Sequence, residues 1–186
     1  YGKTDADAVF GMLYAQCEDD FGRVERNYIE KLGRLAEVDG EKELANDLYL
    51  RLIIDPEDAK ADYQRSPAWL KQLLNAYADG INYYLYKHPE VKPTLLTHFE
   101  PWYPLLWTDG SIGAISTGDV TEEEVGQFYG LNTPLAYRAV ESVPDEDLTG
   151  SNGFAVGKSL SKSGNAMLYI NPHVTFYFRP EIHVNS

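Results

Sequence analysis

The chain has a single cysteine, Cys17, among its 186 residues. One thiol excludes an internal disulfide framework and any cysteine-based zinc site. No apolar run approaches the roughly 20 residues needed to cross a bilayer. No basic stretch followed by an apolar one marks a signal peptide, although the chain opens on Tyr1 without an initiator Met and so reads as trimmed. Cations are scarce, with 16 Lys and Arg against 29 Asp and Glu and a net charge of −13. The deficit is uneven. Beyond Ser151 stand Lys158, Lys162 and Arg179 against Glu181, a local +2, which leaves −15 for the first 150 residues. Such a surface argues against nucleic acid, which is bound by displacing counterions with Lys and Arg. The plainer reading is that the acids solvate helix faces. His88, His98 and His183 have no metal-ligand spacing. Aromatic residues make up 13%, fourteen of them tyrosines, which suits a large buried surface or an apolar pocket.

Two regions differ in period. Residues 4 to about 90 read as helices. Thr4 can cap a segment opening with Asp5 and Asp7, whose charges suit a helix N-terminus. Val9, Leu13, Phe21, Val24, Tyr28 and Leu32 then recur near helical spacing, while Gly11, Gly22 and Gly33 argue against one unbroken rod. The clearest helix is expected from Ser66 as N-cap with Pro67 at the first helical position. Its stripe is Leu70, Leu73, Leu74, Tyr77, Ile81 and Tyr84, and it ends before Pro89. Segments near 41–52 and 56–64 are also expected to be helical, parted by Asp55-Pro56. Residues 89–118 carry no period. Thr121 and Glu124 form a capping box for another helix, and a further one is expected over 133–142. Residues 143–150 are acidic, contain proline and read as an exposed spacer.

From residue 151 the pattern changes. Phe154–Val156 and Ala166–Ile170 read as short strands around turn residues 158–165, and Thr175–Phe178 as another strand start. The expected class is therefore α+β, with a helical region over 1–142, a spacer over 143–150 and the start of a strand-rich region over 151–186. A hairpin needs sheet partners, and few residues remain to supply them before Ser186. The expectation is a fragment.

Taken alone, Gly150-Ser151-Asn152-Gly153 is a common kind of turn. Its context matters more. Asn171-Pro172-His173 follows directly on the apolar run Ala166–Ile170. The stretch from Gly150-Ser151-Asn152-Gly-Phe-Ala-Val to Lys-Ser-Gly-Asn-Ala-Met-Leu-Tyr-Ile-Asn171-Pro172-His173 resembles the start of the β chain in the penicillin acylase family of N-terminal-nucleophile hydrolases. That start reads Gly-Ser-Asn, an aromatic strand, a Ser/Gly loop and Asn-(Asp)-Pro-His. Asp7-Ala-Val-Phe-Gly11-Met-Leu-Tyr14-Ala15, Glu18-Asp19 and Leu32-Gly33-Arg34-Leu35-Ala36-Glu37 resemble the family's early α-chain helix. Tyr77-Ala-Asp79-Gly80-Ile81-Asn82 is similar to its Tyr-x-x-Gly-hydrophobic-Asn helix. The resemblance covers all 186 residues here and about the first quarter of a family precursor.

The resemblance implies a truncated piece of an αββα sandwich and an amide hydrolase, a precursor that cleaves itself before Ser151. Physically, a serine hydroxyl is a poor nucleophile until a base takes its proton. If the Gly150–Ser151 bond breaks, Ser151 gains an α-amine with a pKa near about 8, within reach of its own Oγ directly or through one water. Gly150 permits backbone angles that a Cβ would forbid. Ser151 is thus the expected nucleophile, Gly150 and Ser151 the processing pair, and Asn152 an organiser of the turn. By resemblance His173 supports the nucleophile region, and it could equally be a structural hydrogen-bonding residue. Glu123, with Glu122 and Glu124, falls near the family position that gives one carboxylate to a structural calcium, and also reads as a helix-start charge cluster. Trp107 and Phe128, with Trp102 and Tyr129, could line an acyl pocket by resemblance, or belong to the core. The resemblance further implies an acylated amide as substrate, the remainder of the β chain as partner, no organic cofactor, and a periplasmic or secreted location. Oxyanion donors are missing from this stretch, so the piece alone is expected to be inactive. Two other readings stay open: a non-catalytic helical binding domain with a hairpin tail, and a conventional hydrolase pairing Ser151 with His173. The latter lacks the Gly-x-Ser-x-Gly elbow around its serine.

Overall fold

A computed structural model of the chain describes residues 2–53, 55–106, 120–131 and 150–173. The chain divides into two compact units, Tyr1–Ala136 and Tyr137–Ser186.

The first unit is helical. Helix α1 spans Asp5–Lys31, and its start is the expected capping box, with Thr4 Oγ1 accepting from the Asp7 amide and Asp7 accepting from the Thr4 amide. It is not one rod. Asp20 leaves helical geometry at φ −161°, ψ 80°, and its carboxylate accepts from the Arg23 amide at 3.0 Å, so it caps the second half. Contacts with α5 (Ala68–Lys87) show what this break does. Before it, Phe10 lies on Gly80 and Tyr14 on Tyr84 and His88. After it, Phe21 lies on Tyr84 and Tyr28 on Tyr77. The first half therefore runs with α5 and the second against it. Gly80 allows the close approach: a Cβ there would stand 2.6 Å from the Phe10 carbonyl oxygen.

The end of α1 turns sharply at Gly33, at φ +61°, with the Arg34 amide donating to the Ile29 carbonyl and the Gly33 amide to that of Glu30. Short α2 (Ala36–Asp39) has no capping side chain of its own. Asp47, on α3 (Leu44–Ile53), supplies it by accepting from the Leu35 and Ala36 amides at 2.8 and 2.7 Å. Helix α4 (Pro56–Arg65) begins at the expected Asp55-Pro56 break, with Asp55 as cap. One boundary moves. Ser66 closes α4 rather than opening α5, its hydroxyl donating to the Asp62 carbonyl, and Pro67 is the cap of α5. The residue before a proline is pushed out of helical geometry, and Ser66 sits at ψ 143°.

Between α5 and the 3₁₀ turn Tyr103–Leu106 the chain has no regular ladder, as expected for this stretch. Two helix side chains satisfy its amides instead. The buried Glu25 carboxylate accepts from Thr94, Leu95 and Leu96 at 2.9, 2.7 and 2.9 Å. Asn82 grips Phe99 at both ends of its backbone, accepting from its amide and donating to its carbonyl, each at 2.8 Å. Phe99 is thereby held in a core with Leu13, Phe21, Ile29, Ile81 and Leu106. Helix α6 (Glu122–Phe128) opens on the expected Thr121–Glu124 capping box and packs on α3.

In the second unit β1 (Gly150–Val156) and β2 (Met167–His173) form an antiparallel pair. Both are longer than the sequence pattern indicates, because Gly150–Gly153 and Asn171–His173 pair across their polar ends. The expected helix over 133–142, the spacer over 143–149, the strand start over 175–178 and Trp107 lie outside the described residues. The described residues are thus mainly helical with a small antiparallel sheet.

Replacing Asn82 with Ala leaves the Phe99 amide and carbonyl without partners in the core. A loss of about 2–4 kcal/mol is expected, seen as a lower urea midpoint with an unchanged m-value. A midpoint equal to that of the parent chain would show that the clamp contributes nothing.

Candidate functional site

Gly150-Ser151-Asn152-Gly153 opens β1, and Asn171-Pro172-His173 closes β2. The register sets Gly150 across from His173, Ser151 across from Pro172, and Asn152 across from Asn171. Residues directly opposed in an antiparallel pair have Cα atoms about 4.5–5.5 Å apart. The two polar stretches, separated by the whole hairpin in sequence, are therefore neighbours in space. Among the described residues the Gly150–Ser151 bond faces the Pro172–His173 bond. Strand alternation places positions 151 and 172 on one face and positions 150, 152, 171 and 173 on the other.

Elsewhere the described residues sort the remaining candidates. Cys17 is buried between α1 and α5, and burial pushes its thiol up to about 12. A thiol so protonated is no nucleophile. His88 is a structural tie: Nδ1 meets Glu90 at 3.0 Å, Nε2 meets the Tyr14 hydroxyl at 3.2 Å, and the ring packs on Tyr84. Trp102 packs against the core and edge-on to Tyr103, with Lys60 Nζ 5.1 Å from the Trp102 ring centre. Phe128, in contrast, is 82% exposed at the end of α6, and its ring meets that of exposed Tyr129 edge to face. Glu124 is committed to its capping box, and Glu123 accepts from Gln127 at 3.2 Å with its carboxylate exposed. Among the described residues no group of three or more His, Cys, Asp or Glu could hold a metal ion. None of the described helices is long and apolar enough to cross a membrane.

The motif Tyr77-Ala-Asp-Gly80-Ile81-Asn82 acquires a physical meaning here. Tyr77 accepts a hydrogen bond from the Tyr28 hydroxyl at 2.6 Å, Gly80 admits the Phe10 backbone, Ile81 is fully buried, and Asn82 clamps Phe99. It is a packing motif. Glu25 has an equal share in holding the irregular stretch and escapes a pattern search, since an acid in a helix reads as solvated. The available signal is its place four residues from both Phe21 and Ile29, on the apolar face.

A family model for penicillin amidase matches residues 1–184. The chain belongs to the penicillin amidase family. Relatives support the assignment at low identity. The chain is 24% identical to the acyl-homoserine lactone acylase QuiP of Pseudomonas putida, over 97% of this chain and 28% of that protein. It is 31% identical to the protein of the same name from Pseudomonas fluorescens Pf0-1, over 47% of this chain and 11% of the relative. The chain thus spans little more than a quarter of the length of the Pseudomonas putida relative and about a tenth of that of the Pseudomonas fluorescens one.

Within this penicillin amidase region the state of Cys17 is directly checkable. Its raised pKa means that the folded chain holds the proton more tightly than the unfolded one, whose thiol titrates near about 8.5. The resulting contribution to stability is present below that pH and is lost as pH rises towards about 12. A disulfide reagent at pH 8 should label the native chain far more slowly than the urea-unfolded chain. Equal rates would contradict the burial.

Proposed function

We propose that this chain carries the start of an acylase precursor that cleaves itself between Gly150 and Ser151 and then hydrolyses acyl-amide bonds through Ser151. The observation that carries the reading is the register: the Gly-Ser-Asn and Asn-Pro-His stretches that the family resemblance singles out lie opposite one another at one end of a hairpin. The names of the relatives, acylases of acyl-homoserine lactones, favour N-acyl compounds as substrates, with penicillins a further member of the same chemical class.

In the proposed first step the Ser151 hydroxyl attacks the Gly150 carbonyl carbon. The C–N bond breaks as the ester forms, and the nitrogen leaves as the Ser151 amine. Water then opens the ester, giving a Gly150 carboxylate and restoring the hydroxyl. In turnover that amine takes the hydroxyl proton, directly or through one water, as the oxygen attacks the substrate carbonyl. The substrate amine departs with the proton, and water releases the acyl group from Ser151. Asn152 organises the turn and His173 supports it. Phe128, exposed on α6, and Trp107 are proposed as acyl-binding residues by the family resemblance alone. Glu123 would give one carboxylate to a structural calcium, whose other oxygens (six or more in all) come from elsewhere. No step passes through that ion. The remainder of the β chain supplies the oxyanion donors, and a periplasmic or secreted location follows the family's habit.

Expressed as the complete polypeptide, the protein should yield a fragment beginning Ser-Asn-Gly-Phe by intact mass. Ser151→Ala should abolish both scission and turnover, while Ser151→Cys should keep more scission than turnover, because a thiol attacks well but is larger than the oxygen it replaces. His173→Ala should retain some scission. Were His173 the general base of a conventional pair, its loss would cost on the order of 10²-fold or more in the chemical step. Near-complete and equal loss of turnover in Ser151→Ala and His173→Ala, with the chain uncut in the parent protein, would replace self-processing by a Ser-His hydrolase.

A further inference from the structure

We propose that the hairpin face bearing position 151 is the floor of the acyl site, and that Gly153 sets the bulk of the acyl group admitted beside the nucleophile. The inference rests on the acylase reading above. Strand alternation puts positions 151, 153 and 155 on one face of β1, and the register sets Pro172, Ile170 and Leu168 opposite them. Next to the nucleophile position that face offers only Gly153 and Ala155 along β1. Along β2 it offers Ile170 and Leu168, which are 63% and 70% exposed.

The other face is built differently. There the Phe154 and Tyr169 rings pack together with centres 5.6 Å apart, followed by Val156 opposite Met167. Beyond Asn152, then, the small residues of β1 lie on the face of position 151 and the large ones on the other. That asymmetry separates a bulky face suited to packing against protein from a bare one suited to something smaller.

The glycine itself is the second observation. Gly153 is not among the glycines with positive φ, which are Gly33, Gly40, Gly130 and Gly164. A Cβ built on it would meet only the Tyr169 carbonyl oxygen, at 3.5 Å, an ordinary contact. Neither the backbone nor the hairpin's own packing requires a glycine here, and glycine weakens a strand interior. A glycine kept without local need marks a place where another group comes close to the backbone. Position 153 lies two residues, about 7 Å, along the strand from position 151. An acyl chain running from the serine oxygen along this face passes position 153 several carbons beyond its carbonyl, and an acetyl group stops short of it. Ala155 continues the bare strip, and Ile170 and Leu168 flank it. All four are uncharged, so the group they fit is an extended apolar acyl chain.

The test uses the complete polypeptide and N-acetyl, N-octanoyl and N-phenylacetyl amides of one amine. Gly153→Leu should still be cut before Ser151. Its kcat/KM for the octanoyl and phenylacetyl amides should fall relative to acetyl by about tenfold or more, mainly through KM. Gly153→Ala, whose methyl fits the hairpin, should shift the ratio the same way by less. Val156→Leu, on the other face, should leave it unchanged. A cut Gly153→Leu chain with an unaltered acyl ratio overturns the inference. If Gly153→Leu is not cut, Gly153→Ala decides alone, and an unaltered ratio there overturns it equally. Failure of the parent protein to cut at Gly150–Ser151, with Ser151→Ala still active, is a different result: it removes the acylase reading and this inference with it.

Discussion

A stretch of chain without helix or strand has to bury its amides somewhere, and in the helical unit that need is met by two side chains. Glu25 takes the amides of Thr94, Leu95 and Leu96, and Asn82 takes both backbone groups of Phe99. A buried carboxylate is costly unless hydrogen bonds replace its water, and three backbone donors do so. The exchange works in both directions. Among the described residues these three amides donate to no backbone carbonyl, and the carboxylate is sealed from solvent by the segment it organises.

The reversal at Asp20 makes that arrangement possible. Because α1 turns back on itself, Glu25 in its second half lies against the same segment that Asn82 reaches from α5. Gly80 lets the first half of α1 approach α5 closely, and the Tyr28–Tyr77 hydroxyl pair ties the second half to it. The spacing of Tyr77, Gly80, Ile81 and Asn82 follows from these tasks. Tyr77 and Gly80 face α1, Ile81 is buried in the core, and Asn82 turns towards the segment holding Phe99. The motif that points to the family is therefore a record of packing, while the chemistry proposed for the chain belongs to the other unit.

What could be read from sequence divides along the same physical line. Caps are local, so Thr4, Asp55 and Thr121 are legible without the fold. The Ser66–Pro67 boundary misleads by one residue because each looks suited to open α5, and only the pre-proline constraint on Ser66 separates them. The break in α1 is foreshadowed by Gly22, but the residue that makes it is Asp20, whose capping role exists only once the helix has stopped. Glu25 and Asp47 are illegible for a related reason: each serves amides far along the chain, and nothing local distinguishes them from surface acids. In the hairpin the existence of two strands was legible and their extent was not. Apolar runs mark the strand centres, whereas the polar ends pair because the ladder continues through them.

That continuation bears on the chemistry proposed for Ser151. Had the ladder stopped at the apolar residues, Ser151 and His173 would lie on unpaired ends, free to meet in any geometry. With the ladder running to Gly150 and His173, alternation sends positions 151 and 173 to opposite faces of the hairpin. In the proposed chemistry the base is an amine on the serine's own backbone, which moves with the serine and needs no partner from another strand. In that proposal the strip beyond the nucleophile, over Gly153 and Ala155, is left for the group being transferred.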